Sequence, residues 1–266
     1  MTTPGMRLYV LDLGSIVVDP SCVMAAKTDG GEYRIPVPAF LITHAAGNVL
    51  FDTGMDPVTI TDPDAIWGAL MDQVTPDMSE RDHILKQLEV IGIRPDDISH
   101  VVLSHLHSDH AGGIRFFPNA EFILQRAELE TAMPPALSLF YPESYRDARM
   151  DGTLADPVRS VRLVEGDTDL FGDGRIMMIS TPGHVPGHQS LLVRLDRTGD
   201  VLITADACND KGQLDNTVIP DGTWRRELSR RSLGRLRDLR QKSALTIYGH
   251  DPDLWLTFKH SPEYYD

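Results

Sequence analysis

The chain has 266 residues, 41% hydrophobic and 24% charged, an ordinary globular composition. Its 25 Lys and Arg against 39 Asp and Glu give a formal charge of −14, which speaks against a broad nucleic-acid-binding surface. Two cysteines, Cys22 and Cys208, are too few for a disulfide framework; with no apolar run of membrane-spanning length and no leader-like start, the expectation is a reduced, cytoplasmic protein that makes no use of a membrane.

In chain order, "RLYVLDL", "VPAFLIT" and "NVLFDTG" are apolar, β-branched runs of strand length. Asp52 stands at the end of the third. A stretch rich in Pro and Asp follows, "MDPVTITDPDAIWGALMDQVTPDM", of the kind that forms binding loops or plain surface excursions. Within it, Trp67 and Met71 would share an apolar face on a helical turn, either rimming a site or packing on the core. "SERDHILKQLEVIG" predicts one helix, with Ser79 as N-cap and Asp82 as its capping partner. Ile84, Leu88 and Ile91 lie on one face, and Gly92 is the stop.

The strand "ISHVVLSH" comes next, then "AEFILQ" and a short helix in "QRAELETAM". A second irregular stretch, "MPPALSLFYPESYRDARMDGTLADP", precedes the strands "VRLVEG", "RIMMIST", "QSLLVRLD", "DVLITAD" and "ALTIYGH". Before the last of these, "TWRRELSRRSLGRLRDLRQK" predicts a helix with Leu228, Leu236 and Leu239 near one stripe. Its arginines read as a solvated face rather than an anion patch. Many strands with interspersed helices indicate an α/β protein with large mixed sheets.

The chemistry concentrates in "LSHLHSDHAGG". Three histidines and an aspartate in so short a space are costly to bury unless each is paired or bound. His105 and His107 follow a strand, so side chains two apart face the same way. Asp109 and His110 follow as the chain turns at Ala111-Gly112-Gly113, and they can face a second position beside the first. Three more strand ends carry a candidate ligand: His184 in "TPGHVPGHQS", Asp206 in "LITADACND" and His250 in "LTIYGHD". Each is weak alone, as a turn residue, a helix cap or a surface histidine, but together they indicate a nitrogen- and oxygen-ligated divalent metal site, most consistent with zinc. His188 is expected to be structural or to support a ligand. Asp52 is expected to orient a ligand imidazole.

"SHLHSDHAGG", "TPGHVPGHQS", "TADA" and "YGHD" together resemble the metallo-β-lactamase superfamily. Within it the chain looks most like the N-acyl homoserine lactone lactonases that quench quorum sensing. The likeness also includes "FDTGMDP", "MSERDHILKQLEVIGIRPDDISHVV" and "QRAELE" and covers nearly the whole chain. It implies one domain over residues 1–266, an αββα sandwich of two mixed sheets flanked by helices, with two divalent metal ions at one edge. His105, His107 and His184 would hold one ion, Asp109, His110 and His250 the other, and Asp206 would bridge them beside a bridging hydroxide. That hydroxide would attack the lactone carbonyl, and Asp109 would pass a proton to the leaving alkoxide.

Two positions depart from the family. Ser108 stands where an aromatic residue is usual in the acyl pocket, and Asn209 where a tyrosine usually donates to the substrate carbonyl. Asn209, which can also donate, is the candidate replacement. Substrate contacts are expected from Met24, Trp67, Met71 and Ser108. The alternative is another hydrolase of the same fold, such as a glyoxalase II-like thioesterase, although little chain follows His250 for the extra helical domain of such enzymes. The charge disfavours a nuclease, and the absent leader a secreted β-lactamase. A homodimer is one arrangement left open.

Overall fold

The computed structural model describes residues 5–23, 32–132 and 160–266. Two sheets lie face to face. The first has seven strands in the order β4-β1-β2-β3-β5-β6-β7. They are β1 (Arg7–Val18), β2 (Tyr33–Thr43), β3 (Asn48–Phe51), β4 (Val74–Asp77), β5 (Ile98–Val102), β6 (Glu121–Gln125) and β7 (Val161–Val164). The second has five, in the order β12-β11-β10-β9-β8. They are β8 (Thr168–Asp169), β9 (Ile176–Ser180), β10 (Gln189–Leu195), β11 (Gly199–Ile203) and β12 (Leu245–Ile247). Both sheets are mixed: β1, β2 and β3 pair antiparallel while β3, β5, β6 and β7 run parallel. In the second sheet β11 pairs antiparallel with β10 and parallel with β12.

Alternation of side chains builds three apolar layers from the two sheets. Leu8, Val10, Phe40, Phe51, Val102 and Ile123 of the first sheet meet Met178, Leu191, Val193, Val201, Ile203 and Ile247 of the second in the central layer. The opposite faces of the same strands carry Leu11, Leu41, Leu50, Val101 and Leu124 outward against Ile84, Leu88 and Ala132 of two helices, α3 (Ile84–Val90) and α5 (Arg126–Ala132). On the other side Ile179, Leu192 and Leu202 pack on Leu214, Leu233 and Leu236 of α6 (Lys211–Asn216) and α7 (Arg226–Arg240). The remaining helices are short: α1 (Pro20–Val23), α2 (Pro63–Trp67), α4 (Ser108–Ala111) and α8 (Pro252–Trp255). Helices on both outer faces give the αββα sandwich.

Four local expectations need correction. The stretch 79–92 is not one helix. Asp82 caps Ser79 as expected, with Oδ2 accepting from the Ser79 N–H (2.8 Å) and hydroxyl (2.7 Å), but it closes only a 3-10 turn, Glu80–Asp82. His83 then turns extended, and its Nδ1 accepts from Leu85 N to start α3 afresh. On α7 it is Leu233 and Leu236 that are buried, with Leu239 beside them, while Leu228 is only half-buried. Its arginines pair with Glu227, Asp167 and Asp215, as a solvated face should. Trp67 and Met71 do not share a helical face, because Gly68 (φ 50°, ψ −129°) breaks the helix between them. The irregular stretch around them folds as a 3-10 turn (Pro57–Ile60), α2, a second 3-10 turn (Gly68–Asp72) and β4, a strand that the alternation did not reveal. The second irregular stretch and Met24 lie outside the described residues.

Candidate metal centre

All seven candidate ligands converge on one edge of the sandwich. β5 runs into the loop carrying His105 and His107 and then into α4 with Asp109 and His110. The β9–β10 turn carries His184, Asp206 follows β11, and His250 follows β12. Ligand atoms of His105, His107, His184 and Asp206 lie within 4.8 Å of one another, and so do those of Asp109, His110 and His250. The Asp206 carboxylate faces both groups. Its Oδ1 is 3.1 Å from His110 Nε2 and from His250 Nε2, and its Oδ2 is 3.4 Å from His184 Nε2. Asp109 Oδ2 is 3.4 Å from His110 Nε2 and 3.7 Å from His250 Nε2.

What aims these rings is a set of hydrogen bonds on their far sides. His110 Nδ1–H donates to Asp52 Oδ2 (2.9 Å), and Asp52 Oδ1 accepts from Ser104 N (2.7 Å). His105 Nδ1 meets the Ser104 hydroxyl at 2.9 Å, and His250 Nδ1–H donates to the Pro36 carbonyl (2.7 Å). The carboxylate and the carbonyl, which only accept, fix the tautomers of His110 and His250, and all three bonds leave Nε2 directed into the site, as metal-bound imidazoles require. Asp52 (φ 61°) and Ala205 (φ 45°), the neighbour of Asp206, both hold the left-handed conformation. For residues with a Cβ this is strain, held by the packing around them. The glycines of the turn are a packing requirement: a Cβ on Gly112 would sit 2.2 Å from Asp56 N and one on Gly113 2.7 Å from the Thr53 carbonyl.

The residues present fit a divalent cation. His105 Nε2, His110 Nε2 and Asp206 Oδ1 are buried without a hydrogen-bond partner, an expensive condition unless a ligand takes them up. Burial holds His105, His184 and His188 below the usual imidazole range, and together with the nearby His184 it pushes His107 down to about 3. These rings are therefore neutral, the ligating form. Burial opposes charge on His110 and His250 too, but the carboxylates around them outweigh it and raise both. Asp109, although buried, is held down to about 2 by His110 and His250. The carboxylates thus call for positive charge at this point, which a metal cation would supply in place of protons.

Two residues that the motifs did not single out hold the loops together. Glu128 on α5 is fully buried. Its Oε1 accepts from Leu106 N (3.0 Å) and its Oε2 from Gly187 N (3.1 Å), so one carboxylate joins the His105–His110 loop to the His184 turn. Its i+4 neighbour Ala132 is buried as well, so a charged residue on the inward stripe of a short helix was the available signal. Gln189 donates through Nε2 to the Leu103 carbonyl (2.8 Å) from the strand that the second sheet sends under the loop. His188 is buried beside His105 with its Nδ1 on the Thr181 hydroxyl (2.9 Å) and belongs to neither ligand group.

A pocket of about 510 Å³ opens over the cluster. His107, Asp109, His184, Asp206 and His250 form its floor, Asp221 and Gly222 are at its edge, and Ile16, Val18, Val23, Ile35, Trp67, Leu70 and Val74 make an apolar wall. Trp67 is buried, and its Nε1 donates to the Thr59 hydroxyl (3.1 Å). Leu70, not Met71, joins it on the wall; Met71 packs against the outer core. Ser108 lines the pocket between two of the floor residues. Asn209 does not line it. The Asn209 amide donates to the Val23 carbonyl (3.3 Å) and its backbone carbonyl accepts from His250 N (2.9 Å), so the expected carbonyl donor is committed to the end of α1.

Residues 33–250 match the family model of the metallo-beta-lactamase superfamily. The N-acyl homoserine lactonase AttM of Azorhizobium caulinodans is 38% identical over 266 residues, spanning 98% of this chain and 99% of that protein. The solved N-acyl homoserine lactone hydrolase with the product N-hexanoyl-L-homoserine at its catalytic metal centre is 31% identical and superposes with a TM-score of 0.85 over 99% of this chain and 100% of that one. A variant of Bacillus thuringiensis AiiA with N-decanoyl-L-homoserine in its active site superposes with a TM-score of 0.83 at 31% identity, over 99% of this chain and 100% of that one.

Proposed function

This chain belongs to the metallo-beta-lactamase superfamily, and from that premise we propose that it is a metal-dependent hydrolase that opens the lactone ring of N-acyl homoserine lactones. The observation that carries the reading is a cluster of five histidines and two aspartates, five of these residues flooring a pocket with an apolar wall, in a chain that aligns end to end with N-acyl homoserine lactonases. A polar, reactive ring and an apolar tail on one small molecule match those two halves. The unit is read as a single domain, which the shared central core supports.

His105, His107 and His184 would hold one ion, Asp109, His110 and His250 a second, and Asp206 both, since its two oxygens face the two groups. A wholly nitrogen and oxygen set with four or fewer protein ligands per ion suits zinc. Two divalent ions make hydroxide available near neutral pH and polarise a carbonyl. The chain's own residues do the rest. Asp52 and Pro36 fix the tautomers of His110 and His250. The Asp109 side chain keeps 13% of its surface exposed and lines the pocket, so it can carry a proton to the departing ring oxygen. Water adds across the ester bond, the acyl–oxygen bond breaks, and an N-acyl homoserine leaves. A cytoplasmic setting remains part of the proposal, supported by the two cysteines.

The test is hydrolysis by zinc-loaded protein of a panel of N-acyl homoserine lactones, simple esters and thioesters, followed by acid release. Ring opening of the acyl homoserine lactones should dominate and disappear with a chelator. Thioester hydrolysis without lactone hydrolysis would replace this reading.

A further inference from the structure

One polar group of the pocket has no task in the reaction just described. Ser108 is 3% exposed and lines the pocket between His107 and Asp109, and its Oγ has no hydrogen-bond partner. A hydroxyl brings one donor and two acceptor lone pairs, and leaving them unpaired in a buried place is costly. Of the other buried and unpartnered atoms of this region, His105 Nε2, His110 Nε2 and Asp206 Oδ1 belong to the groups that fit a cation, while His188 Nε2 and Asn209 Oδ1 lie outside the pocket lining. Ser108 belongs to neither cation group and does line the pocket, so the group placed to pair with it is the other occupant of the pocket.

Chain position says which part of that occupant is concerned. Ser108 is flanked on both sides by floor residues, and the apolar wall of Val18, Ile35, Trp67 and Leu70 rises from the same pocket. A pocket-lining group on the floor segment is near the reacting end, and a tail reaching the wall leaves from that end. In a lactone seated with its ring on the floor and its alkyl tail on the wall, the amide and first acyl carbons are the part that joins the two. A wall built for alkyl chain alone would gain from an aliphatic or aromatic side chain here and would lose by a bare hydroxyl.

We propose that Ser108 selects lactones whose acyl arm carries an oxygen, as oxo or hydroxyl, close to the amide, through a hydrogen bond to Oγ. This rests on the lactonase reading. The hydroxyl can donate to an oxo group and can donate to or accept from a hydroxyl, so both forms satisfy it.

The experiment uses zinc-loaded protein and two probes of equal length, N-hexanoyl- and N-(3-oxohexanoyl)-L-homoserine lactone, with kcat and KM measured separately. The parent protein should favour the oxo probe in kcat/KM by about two- to tenfold, the worth of one neutral hydrogen bond, chiefly through KM. Ser108→Ala should bring the ratio to about one while its melting temperature holds or rises, because no bond within the protein is lost. Ser108→Cys, similar in shape and a weaker donor, should fall between. A parent ratio of one or less, a ratio that survives Ser108→Ala, or a lowered melting temperature in that variant would each overturn the assignment. So would equal losses on both probes, which would place the bond on the amide they share. Hydrolysis of neither probe overturns the lactonase reading itself, whereas hydrolysis of the plain probe with no preference overturns only the role of Ser108.

Discussion

The floor of the pocket and its wall are built on different principles. Around the floor, most of the holding bonds come from residues distant in sequence: Asp52 reaches His110 and Ser104, Pro36 reaches His250, and Glu128 ties Leu106 to Gly187, while His105 rests on its neighbour Ser104. Glycines allow backbone to touch backbone there. Along the wall, in residues 57–72, the side-chain bonds are local, from Val58 N to Asp56, Ala65 N to Asp62 and Trp67 to Thr59, and the elements are turns of four or five residues; the longer reach, from Asp56 to Arg115, is made just before this stretch begins. The difference teaches where change is tolerated. A floor fixed from many directions preserves chemistry, and a wall held by its own short turns can be re-cut without disturbing it.

The largest effect should come from breaking the floor at its centre. Asp206→Ala removes the one carboxylate that faces both groups of ligands. Losing a buried charge partner costs about 3–5 kcal/mol, so activity should fall by roughly 10²–10⁴ together with metal content. Metal analysis by mass spectrometry checks this, and retention of two ions per chain would remove Asp206 from the site. A step further out, Asp52→Asn keeps an oxygen for Ser104 N but weakens the hold on His110. Metal affinity or activity should drop about 10- to 100-fold, as for other outer partners of ligand histidines. An unchanged zinc titration would mean that His110 is aimed by packing alone.

The wall should answer differently. Trp67→Ala leaves the cations in place, so kcat on a short-chain lactone should stay within about threefold. KM should rise with acyl length, by roughly tenfold for a ten-carbon chain, given about 0.8 kcal/mol per buried methylene. Because Trp67 is also core, the melting temperature should fall as well, as large-to-small core changes do. Trp67→Phe separates the two roles, keeping most of the apolar face while losing only the Thr59 bond. Losses in Trp67→Ala that are equal for all chain lengths would make Trp67 a core residue only.

The same contrast explains what could be read before any coordinates. The strands were legible from their apolar runs, and the convergence of His105, His107, Asp109, His110, His184, Asp206 and His250 was legible because few roles other than ligation tolerate such side chains together at strand ends. Asp52 was legible for the same reason. Glu128 was not, because a glutamate on a short helix has an ordinary look until the helix packs and buries it. The wall departs in detail from what its spacing predicts. Spacing gave Trp67 and Met71 one face, but Gly68, at a φ that favours glycine, ends α2 and brings Leu70 to the pocket instead. Helix 79–92 failed likewise at His83, whose ring nitrogen caps a second start that periodicity does not encode.

The smallest effect is expected at Asn209, which stands outside the pocket lining and bonds to the wall at Val23. Its amide, the expected donor to a substrate carbonyl, is instead on the Val23 carbonyl at 3.3 Å, and Val23 is part of the wall. Its backbone carbonyl holds His250 N, a contact that no side-chain change removes. Asn209→Ala therefore gives up one long hydrogen bond and loosens the end of α1 against the pocket. A neutral bond is worth about 0.5–1.5 kcal/mol, so KM should rise by roughly two- to tenfold for lactones long enough to touch Val23. Carbonyl polarisation is left to the floor, so kcat should stay within about twofold and metal content should not change. Replacing a placed oxyanion donor would look quite different, with roughly 10²–10³ lost from kcat and KM little altered. Steady-state kinetics on one short and one long lactone distinguishes the two, and the second pattern would return Asn209 to the reacting centre.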